Sequence, residues 1–491
     1  MTADSRKWLA LAVICVAQFM VILDVSIVNV ALPSIQRGLH FSEQNLLWVL
    51  NAYALMFGGF LMLGGRVADK LGRRRVFVTG VVLFTTASLF CGLATSTGWL
   101  VTARAVQGLG AAILSPAALS ILTVTFEEGR ERNTALSIWG AIAGAGGAFG
   151  VLLGGVLTQE FGWQWIFYVN VPIGSLVVLA SFFILTPSLA EDENRGFDIP
   201  GAVALTAGLV LMVFALVKST SWGWASAKTL GTLAVAFVLI ALFVVIERRT
   251  KSALVPLSTF RNRSLSVSNM VSLALGASIF SMFYFLSLYM QQVLGYSALK
   301  TGVGYLAIAG SIIVAAGGAQ SLVAKFGVRL VMTMGMALAS GGLIYFAQIS
   351  PHGTYLGTLL PGFLLAGVGL GLSFVPVTIG AMSGVAHEEA GVASGLITTT
   401  QQIGGALGVA VLSTIAVSAT TRFIGAHGHE PLVMTNALNH GFSIAFWFGA
   451  VFAGIGCLIA YFGMDRTRIT GAIASVPAIE ERPTRVQPVS P

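Results

Sequence analysis

The strongest constraint on this chain is a succession of fourteen apolar runs separated by short polar connectors. A helix needs about 20 mostly apolar residues to cross the hydrocarbon core of a bilayer. Only 9% of the residues are charged, against about a quarter in a soluble domain. These two facts exclude a soluble enzyme, a secreted disulfide scaffold and a nucleic-acid-binding module. We therefore predict an all-α polytopic membrane protein with fourteen transmembrane helices.

The position of each run follows from the hydropathy pattern alone. The runs lie near 9–31, 46–64, 76–95, 98–122, 135–158, 164–186, 199–217, 229–247, 267–290, 302–323, 329–349, 355–379, 392–418 and 441–463. The largest connectors are predicted around 191–198, 248–263 and 427–439.

Lys and Arg residues are distributed unevenly between the two sides that these runs define. With a cytoplasmic N-terminus, the inner segments collect 21 of the 27 Lys and Arg residues, as the positive-inside rule demands. The net charge of +8 therefore reflects topology, and we expect no nucleic-acid partner. We predict a multi-pass protein of the bacterial cytoplasmic membrane with both termini in the cytoplasm.

Two pairs of segments repeat at nearly one offset. AGGAFGVL at 145–152 matches IGGALGVA at 403–410, and GRVADKLGRR at 65–74 matches QSLVAKFGVR at 320–329. Such repeats are typical of transporters in which two bundles rock against each other. The predicted units are a six-helix bundle (1–190), two inserted helices with their flanking loops (191–265), a second six-helix bundle (266–465) and a cytoplasmic tail (466–491).

Two ionisable residues lie well inside the predicted spans, Asp24 in the first and Arg104 in the fourth. A charge at the membrane centre costs roughly 2.5–3.5 kcal/mol on insertion scales, so such residues usually face a cavity or a partner. Asp24 is a candidate proton carrier and Arg104 a candidate modulator of its charge. A purely structural role stays open for both. In the repeat their counterparts lie near Phe280 and Phe363, so only one half carries the charges.

Glycine and polar residues mark three further candidate elements. The turn at 65–75 contains Gly65, Asp69, Gly72 and Arg73, for which we predict a conformational latch, because a bland basic loop would not require the acid and the glycines. Small residues at four-residue spacing in the fifth span allow close helix packing: Gly146, Gly150, Gly154 and the adjacent Gly155. Candidate cavity-lining residues, each of which could equally join helices by hydrogen bonds, are Asn29, Asn51, Gln107, Ser115, Asn170, Asn269, Gln291, Gln292, Gln401 and Gln402.

Four motifs together resemble the major facilitator superfamily, specifically its fourteen-helix drug:proton antiporters of the EmrB/QacA type. They are LDVSIVNVALP at 23–33, GRVADKLGRRR at 65–75, LVTARAVQGLGAA at 100–112 and GGAFGVLLGG at 146–155. The resemblance implies two six-helix bundles plus two inserted helices. It assigns Asp24 and Arg104 to proton coupling, and Asp69, Gly72 and Arg73 to the latch. Gly150 is followed by Val151 where the family usually has proline.

The function predicted from these features is proton-coupled efflux of amphipathic organic compounds, such as drugs and antibiotics, by alternating access. The expected partners are such substrates, protons and the lipid bilayer. We expect neither a cofactor nor a bound metal, since the proton gradient supplies the energy. One alternative is a dedicated exporter of a single metabolite or antibiotic. A membrane enzyme or sensor is a weaker alternative, because the six histidines are scattered near loops and span ends.

Overall fold

The computed structural model describes residues 3–126, 130–186, 198–250, 253, 255, 257–385, 390–427 and 431–464. The predicted tail at 466–491 and most of the connector at 191–198 lie outside them. Within the described residues, thirteen helices are long and apolar enough to cross a membrane. A further helix of 31 residues, Arg130–Glu160, occupies the fifth predicted run. The predicted all-α membrane fold is confirmed.

The helices are numbered in chain order. The first group is α1 (Ala3–Leu39), α2 (Glu43–Leu46), α3 (Trp48–Leu71), α4 (Arg73–Gly92), α5 (Thr97–Thr125), α6 (Arg130–Glu160), α7 (Trp165–Tyr168) and α8 (Asn170–Ile184). The inserted pair is α9 (Ile199–Trp222) and α10 (Ala227–Arg249). The last group is α11 (Arg263–Leu288), α12 (Ala298–Gly304), α13 (Leu306–Phe326), α14 (Val328–Phe346), α15 (Leu360–Met382), α16 (Ala390–His427) and α17 (Pro431–Gly463). We call the contact between the first and last groups the seam.

Two helices extend well beyond the apolar runs that predicted them. Helix α1 covers Ala3–Leu39 rather than 9–31. The predicted connector at 427–439 is mostly helical, because α16 ends at His427 and α17 begins at Pro431. Hydropathy marks only the part of a helix that meets lipid, whereas backbone hydrogen bonding continues into polar residues. Proline is also well suited to the first turn of a helix.

The internal repeat is visible in matching hydrogen bonds, in which an arginine of each half donates to a carbonyl at the end of the last helix of that half. The Arg6 Nε donates to the Ile184 carbonyl at the end of α8 over 3.0 Å. Arg263 stands at the corresponding place in the second half, and its Nε donates to the Gly463 carbonyl at the end of α17 over 2.8 Å. Gly72 and Gly327 also match, since both have positive φ, 93° and 82°, before the helices α4 and α14. The two halves therefore have matching hydrogen bonds and matching turns at equivalent positions.

The inserted helices lie against the seam. Helix α9 packs against α10, against α3 of the first half and against α16 of the second half. The Thr414 hydroxyl of α16 donates to the Leu216 carbonyl of α9 over 3.0 Å. Only 11% of the most apolar 18-residue stretch of α10 is buried, so this helix faces lipid over most of its surface. We call the end of the bundle that holds Gly72 and Gly327 the turn end, and the opposite end, which holds Gln36 and Gln292, the far end.

Candidate functional site

The two ionisable residues singled out in the sequence form one ion pair. The Arg104 Nη1 of α5 lies 2.6 Å from the Asp24 Oδ2 of α1. Asp24 is 0% exposed and Arg104 is 1% exposed, so the pair has no contact with bulk solvent. A buried pair is stable only when further hydrogen bonds satisfy the remaining polar atoms. The neighbouring residues show how this condition is met.

Amide side chains complete the coordination of the Asp24 carboxylate. The Gln107 Nε2 donates to the Asp24 Oδ1 over 2.8 Å, and the Asn170 Nδ2 donates to the same oxygen over 3.2 Å. The Gln107 Oε1 accepts from the Arg104 Nη1 over 2.7 Å. The other hydrogen of the Asn170 amide reaches the Ser88 hydroxyl over 3.0 Å. The network therefore joins α1, α4, α5 and α8.

The guanidinium of Arg104 also binds helix α3. Its Nε donates to the Val49 carbonyl over 3.0 Å, and its Cζ lies 4.4 Å from the centre of the Tyr53 ring. A cation over an aromatic face is stabilised by about 0.5–2 kcal/mol, most when desolvated. Arg104 thus connects the carboxylate of α1 to α3, and α3 is a helix of the seam.

A small cavity lies next to Arg104 at the seam. Its volume is about 20 Å³, room for roughly one water molecule. It is lined by Val25, Leu50, Asn51, Tyr53, Ala54, Arg104, Phe280, Gln402, Gly405, Ala406 and Val409. Phe280, which lies near the repeat counterpart of Asp24, borders this cavity from the second half. The Asn51 Nδ2 crosses the seam here and donates to the Ala406 carbonyl over 3.0 Å.

Two predicted cavity residues, Asn29 and Gln291, lie instead at the far-end contact between the halves. The Ser287 hydroxyl of α11 donates to the Asn29 carbonyl over 2.5 Å, and the Gln291 Nε2 donates to the Val30 carbonyl over 2.8 Å. The Asn29 carbonyl is available because Pro33, four residues later, has no N–H to offer it. Nearby, the Gln292 Nε2 donates to the Gln36 Oε1 over 2.7 Å. These bonds hold the far end closed.

The Ser287–Asn29 bond gives a prediction that depends on Pro33. Ser287→Ala should destabilise the closed far end by about 1–3 kcal/mol, since a buried carbonyl loses its donor. In a Pro33→Ala background the same change should cost much less, because the restored N–H of residue 33 satisfies the Asn29 carbonyl. Distance distributions between spin labels across the far end measure the closed fraction. Equal costs in both backgrounds would contradict the assignment.

The glycines of α6 lie where its backbone meets other helices. A Cβ at Gly150 would lie 2.6 Å from the Ser26 Cβ and 3.0 Å from the Leu23 carbonyl oxygen, and one at Gly154 would lie 2.9 Å from the Ile27 carbonyl oxygen. A Cβ at Gly146 would lie 3.0 Å from the Ile22 Cγ2. The adjacent Gly155 faces the seam, since its Cβ would lie 2.8 Å from the Ala298 carbonyl oxygen. The predicted series therefore packs against both α1 and α12, and α6 continues through Val151 as one helix.

The predicted latch residues occupy the turn between α3 and α4. Gly72 adopts φ 93°, a conformation that side-chain-bearing residues rarely adopt. The Arg73 Nε lies 3.9 Å from the Asp69 Oδ1, and Asp69 is largely exposed. Gly65 has room for a side chain, with Pro116 Cβ 3.5 Å away, whereas its neighbour Gly64 lies against the Ala112 carbonyl. The tight helix contact of this motif is therefore at Gly64, and the latch role of Gly65, Asp69, Gly72 and Arg73 stays a prediction.

The remaining candidates lie apart from the Asp24 network. Ser115 is partly buried on α5, and its hydroxyl has no partner among the described residues. The Gln401 carbonyl packs against Gly276, while the neighbouring Gln402 lines the cavity. Sequence reasoning did not single out Ser88 or Tyr53, because a serine and a tyrosine in an apolar span have no distinguishing pattern.

Comparison with known proteins supplies the family. The family model described as Major Facilitator Superfamily matches residues 14–200 and 197–409. The chain is 36% identical to the puromycin resistance protein pur8 of Streptomyces alboniger, covering 98% of this chain and 96% of that protein. It is 40% identical to the cephamycin export protein CmcT of Amycolatopsis lactamdurans, covering 84% and 85%.

A solved structure has the same fold. The crystal structure of a bacterial homologue of the human lysosomal transporter Spinster, in an inward-facing and unoccupied conformation, superimposes with a TM-score of 0.67. It covers 93% of this chain and 97% of that chain at 16% sequence identity. The sequence matches and the helical arrangement agree, and the chain belongs to the Major Facilitator Superfamily.

Proposed function

We propose that the protein is a proton-coupled exporter of amphipathic organic compounds, of the fourteen-helix drug:proton antiporter type. The observation that carries the proposal is the buried Asp24–Arg104 pair, held by Gln107 and Asn170 beside a one-water cavity at the seam. An ionisable pair is costly at this depth and is usually functional. The names of the two relatives, one a resistance protein and one an export protein, support the direction of transport.

Protonation of Asp24 would break the ion pair. Both carboxylate oxygens accept hydrogen bonds from N–H groups, so a proton on either oxygen would face a donor. Arg104 then loses its counter-charge and is released from Asp24, and its bonds to Val49 and the Tyr53 ring would transmit its movement to α3. Helix α3 packs on α16 of the other half. In this way the protonation state of the Asp24 carboxylate changes the relative stability of the open and closed arrangements of the seam, the interface across which the two halves rock.

The energy source is the proton gradient, and no cofactor or catalytic step is needed. An inward proton gains about 2.3 kcal/mol per 100 mV of membrane potential, in addition to the pH difference. We place the turn end in the cytoplasm and the chain in the bacterial cytoplasmic membrane, on the distribution of Lys and Arg. With this orientation the closed far end is the outer end of the bundle. Asp69, Gly72 and Arg73 would then form a cytoplasmic latch that is remade when the inner side closes.

Two substrate ranges are candidates: several unrelated amphipathic compounds, or one metabolite or antibiotic. The residues that border the one-water cavity at the seam are mainly apolar, and such a wall, once the halves part enough to admit a substrate, favours several amphipathic compounds over one. The names of pur8 and CmcT each specify a single antibiotic or antibiotic class, which favours a dedicated exporter. Resistance profiling of cells that express the chain separates the two. Protection against several unrelated compounds supports the first, and protection against one compound class supports the second.

Transport in everted membrane vesicles tests the proposal. We expect uptake of ethidium or puromycin when respiration energises the vesicles, and release when a protonophore collapses the gradient. Vesicles without the protein are the control for passive binding. Uptake that persists after the protonophore is added would overturn proton coupling. The absence of uptake for every amphipathic compound tested, with the protein folded and present, would overturn the export function.

A further inference from the structure

A second cavity lies at the far end of the seam, separate from the Asp24 network. Its volume is about 20 Å³, and it is bordered by residues of α1 and α2 on one side and of α11, α16 and α17 on the other. The wall residues that matter here are Gln36, Glu43, Tyr284, Gln292, Ser413 and Phe442. The cavity therefore exists only while the far end is closed.

Glu43 gives this cavity a negative charge. It lies in the first turn of the short helix α2, and its side chain is exposed at the mouth of the cavity. Within the described part of the chain, none of the ion pairs involves Glu43. A carboxylate in such a position attracts a cation that enters the cavity. No ion pair among the described residues has to be broken for that cation to bind.

A buried hydroxyl in the same wall is also unsatisfied. Ser413 is 3% exposed, and its Oγ makes no close hydrogen bond among the described residues, its polar neighbour being the Tyr284 hydroxyl. Beside it the Gln292 Nε2 and the Gln36 Oε1 join the two halves. A buried polar atom without a partner costs about 1–3 kcal/mol. A ligand that donates hydrogen bonds would therefore gain at Ser413 as well as at Glu43.

The aromatic residues of the wall decide which cation fits. Phe285 and Phe442 are in ring contact, with centroids 5.8 Å apart, and Tyr284 packs against Phe285 at 5.1 Å. Aromatic faces bind organic ammonium groups by cation–π attraction, whereas a bare alkali ion prefers a cage of oxygen ligands. The cavity holds little more than a head group. The matching ligand is a small ammonium group on an apolar body that extends toward the mouth.

We propose that this far-end cavity is a binding site for the ammonium head of a cationic amphipathic compound, with Glu43 and Ser413 as its polar contacts. Because the site touches both halves, its occupant stabilises the closed far end. Cation binding at this site does not rest on the proposed export function. Only the assignment of the site to the outer face of the membrane depends on the proposed orientation.

Binding to the purified full chain in lipid nanodiscs tests the proposal, with benzylammonium as the probe and benzyl alcohol as its neutral counterpart. Saturation-transfer NMR gives the two affinities. We expect benzylammonium to bind more tightly than benzyl alcohol. Glu43→Gln should weaken benzylammonium by about fivefold, and Ser413→Ala should weaken it by a smaller factor. Glu160→Gln, which neutralises an exposed carboxylate at the end of α6, should leave the affinity unchanged.

A second readout follows the far end itself. Spin labels at His40→Cys and Lys300→Cys, both exposed sites, report its closure in a background without native cysteines. Benzylammonium should increase the short-distance population, and Glu43→Gln should remove that response. Equal affinities for the two probes, or an unchanged affinity in Glu43→Gln, would overturn the proposal. Loss of binding in Asp24→Asn/Arg104→Gln but not in Glu43→Gln would place the cation at the central pair and would also overturn it.

Discussion

Asp24→Asn is expected to reduce gradient-driven substrate accumulation in everted vesicles to the level of protonophore-treated vesicles. The amide cannot carry a proton through the cycle, and it removes the negative charge 2.6 Å from the Arg104 Nη1. Arg104 is 1% exposed, so its charge would stay buried without compensation. Removing one partner of a buried pair typically costs about 3–5 kcal/mol. The single variant should therefore also melt at a clearly lower temperature.

The double variant Asp24→Asn/Arg104→Gln separates the loss of coupling from the loss of stability. Replacing both charges with neutral groups removes the uncompensated charge, and such replacement is often close to neutral in stability. We expect the melting temperature to recover most of its loss, while gradient-driven accumulation stays absent. Glu160→Gln is the matched carboxylate-to-amide control and should transport normally. Full accumulation by the stable double variant would rule out coupling through Asp24.

Gly150→Ala is expected to destabilise the protein by about 1–3 kcal/mol, the usual cost of overpacking a close contact. Its new Cβ would lie 2.6 Å from the Ser26 Cβ and 3.0 Å from the Leu23 carbonyl oxygen, so α1 and α6 must separate. Leu23 precedes Asp24, and this separation should also disturb the carboxylate network and reduce transport. Melting in detergent, followed by tryptophan fluorescence, and vesicle uptake measure the two effects.

Gly147→Ala is the control on the same helix. A Cβ at Gly147 would have only the Ser26 Oγ within reach, at 3.9 Å, which is ordinary van der Waals contact. Alanine in place of an unconstrained helical glycine gains about 0.5–1 kcal/mol. We therefore expect Gly147→Ala to be neutral or stabilising with normal transport. Similar melting temperatures for the two variants would show that the close approach of α1 and α6 does not limit stability.

The architecture was largely predictable because the membrane simplifies the physics. Backbone groups in hydrocarbon must be satisfied within the helix, so each sufficiently long apolar run becomes a helix. The repeat at 65–74 and 320–329 predicted two related bundles, and Gly72 and Gly327 at its matching positions both adopt positive φ. The ends of helices were less predictable, as the helical segment after Pro431 demonstrates, because hydropathy does not mark where hydrogen bonding stops.

The candidate site was predictable in its members but not in its contacts. Asp24 and Arg104 are conspicuous as charges in apolar spans, yet nothing in their separation of 80 positions states that they touch. Asn29 and Gln291 are of the same residue types, Asn and Gln, as the other predicted cavity-lining residues, and the structure places them at the far-end contact. The Asn29 contact depends on Pro33, whose missing N–H frees the Asn29 carbonyl for Ser287, whereas Gln291 donates to the Val30 carbonyl.

The sequence by itself determined that this chain is a bundle of membrane helices in two related halves, because hydrophobic length and repeat are local properties of the chain. It also identified Asp24 and Arg104, whose charges would be costly in the hydrocarbon core of a bilayer without a partner. Only the tertiary structure decided that Asp24 pairs with Arg104, that Gly150 is crowded while Gly147 is not, and that the far end is closed. These outcomes depend on distances between helices distant in sequence, which packing sets and the order of residues does not specify.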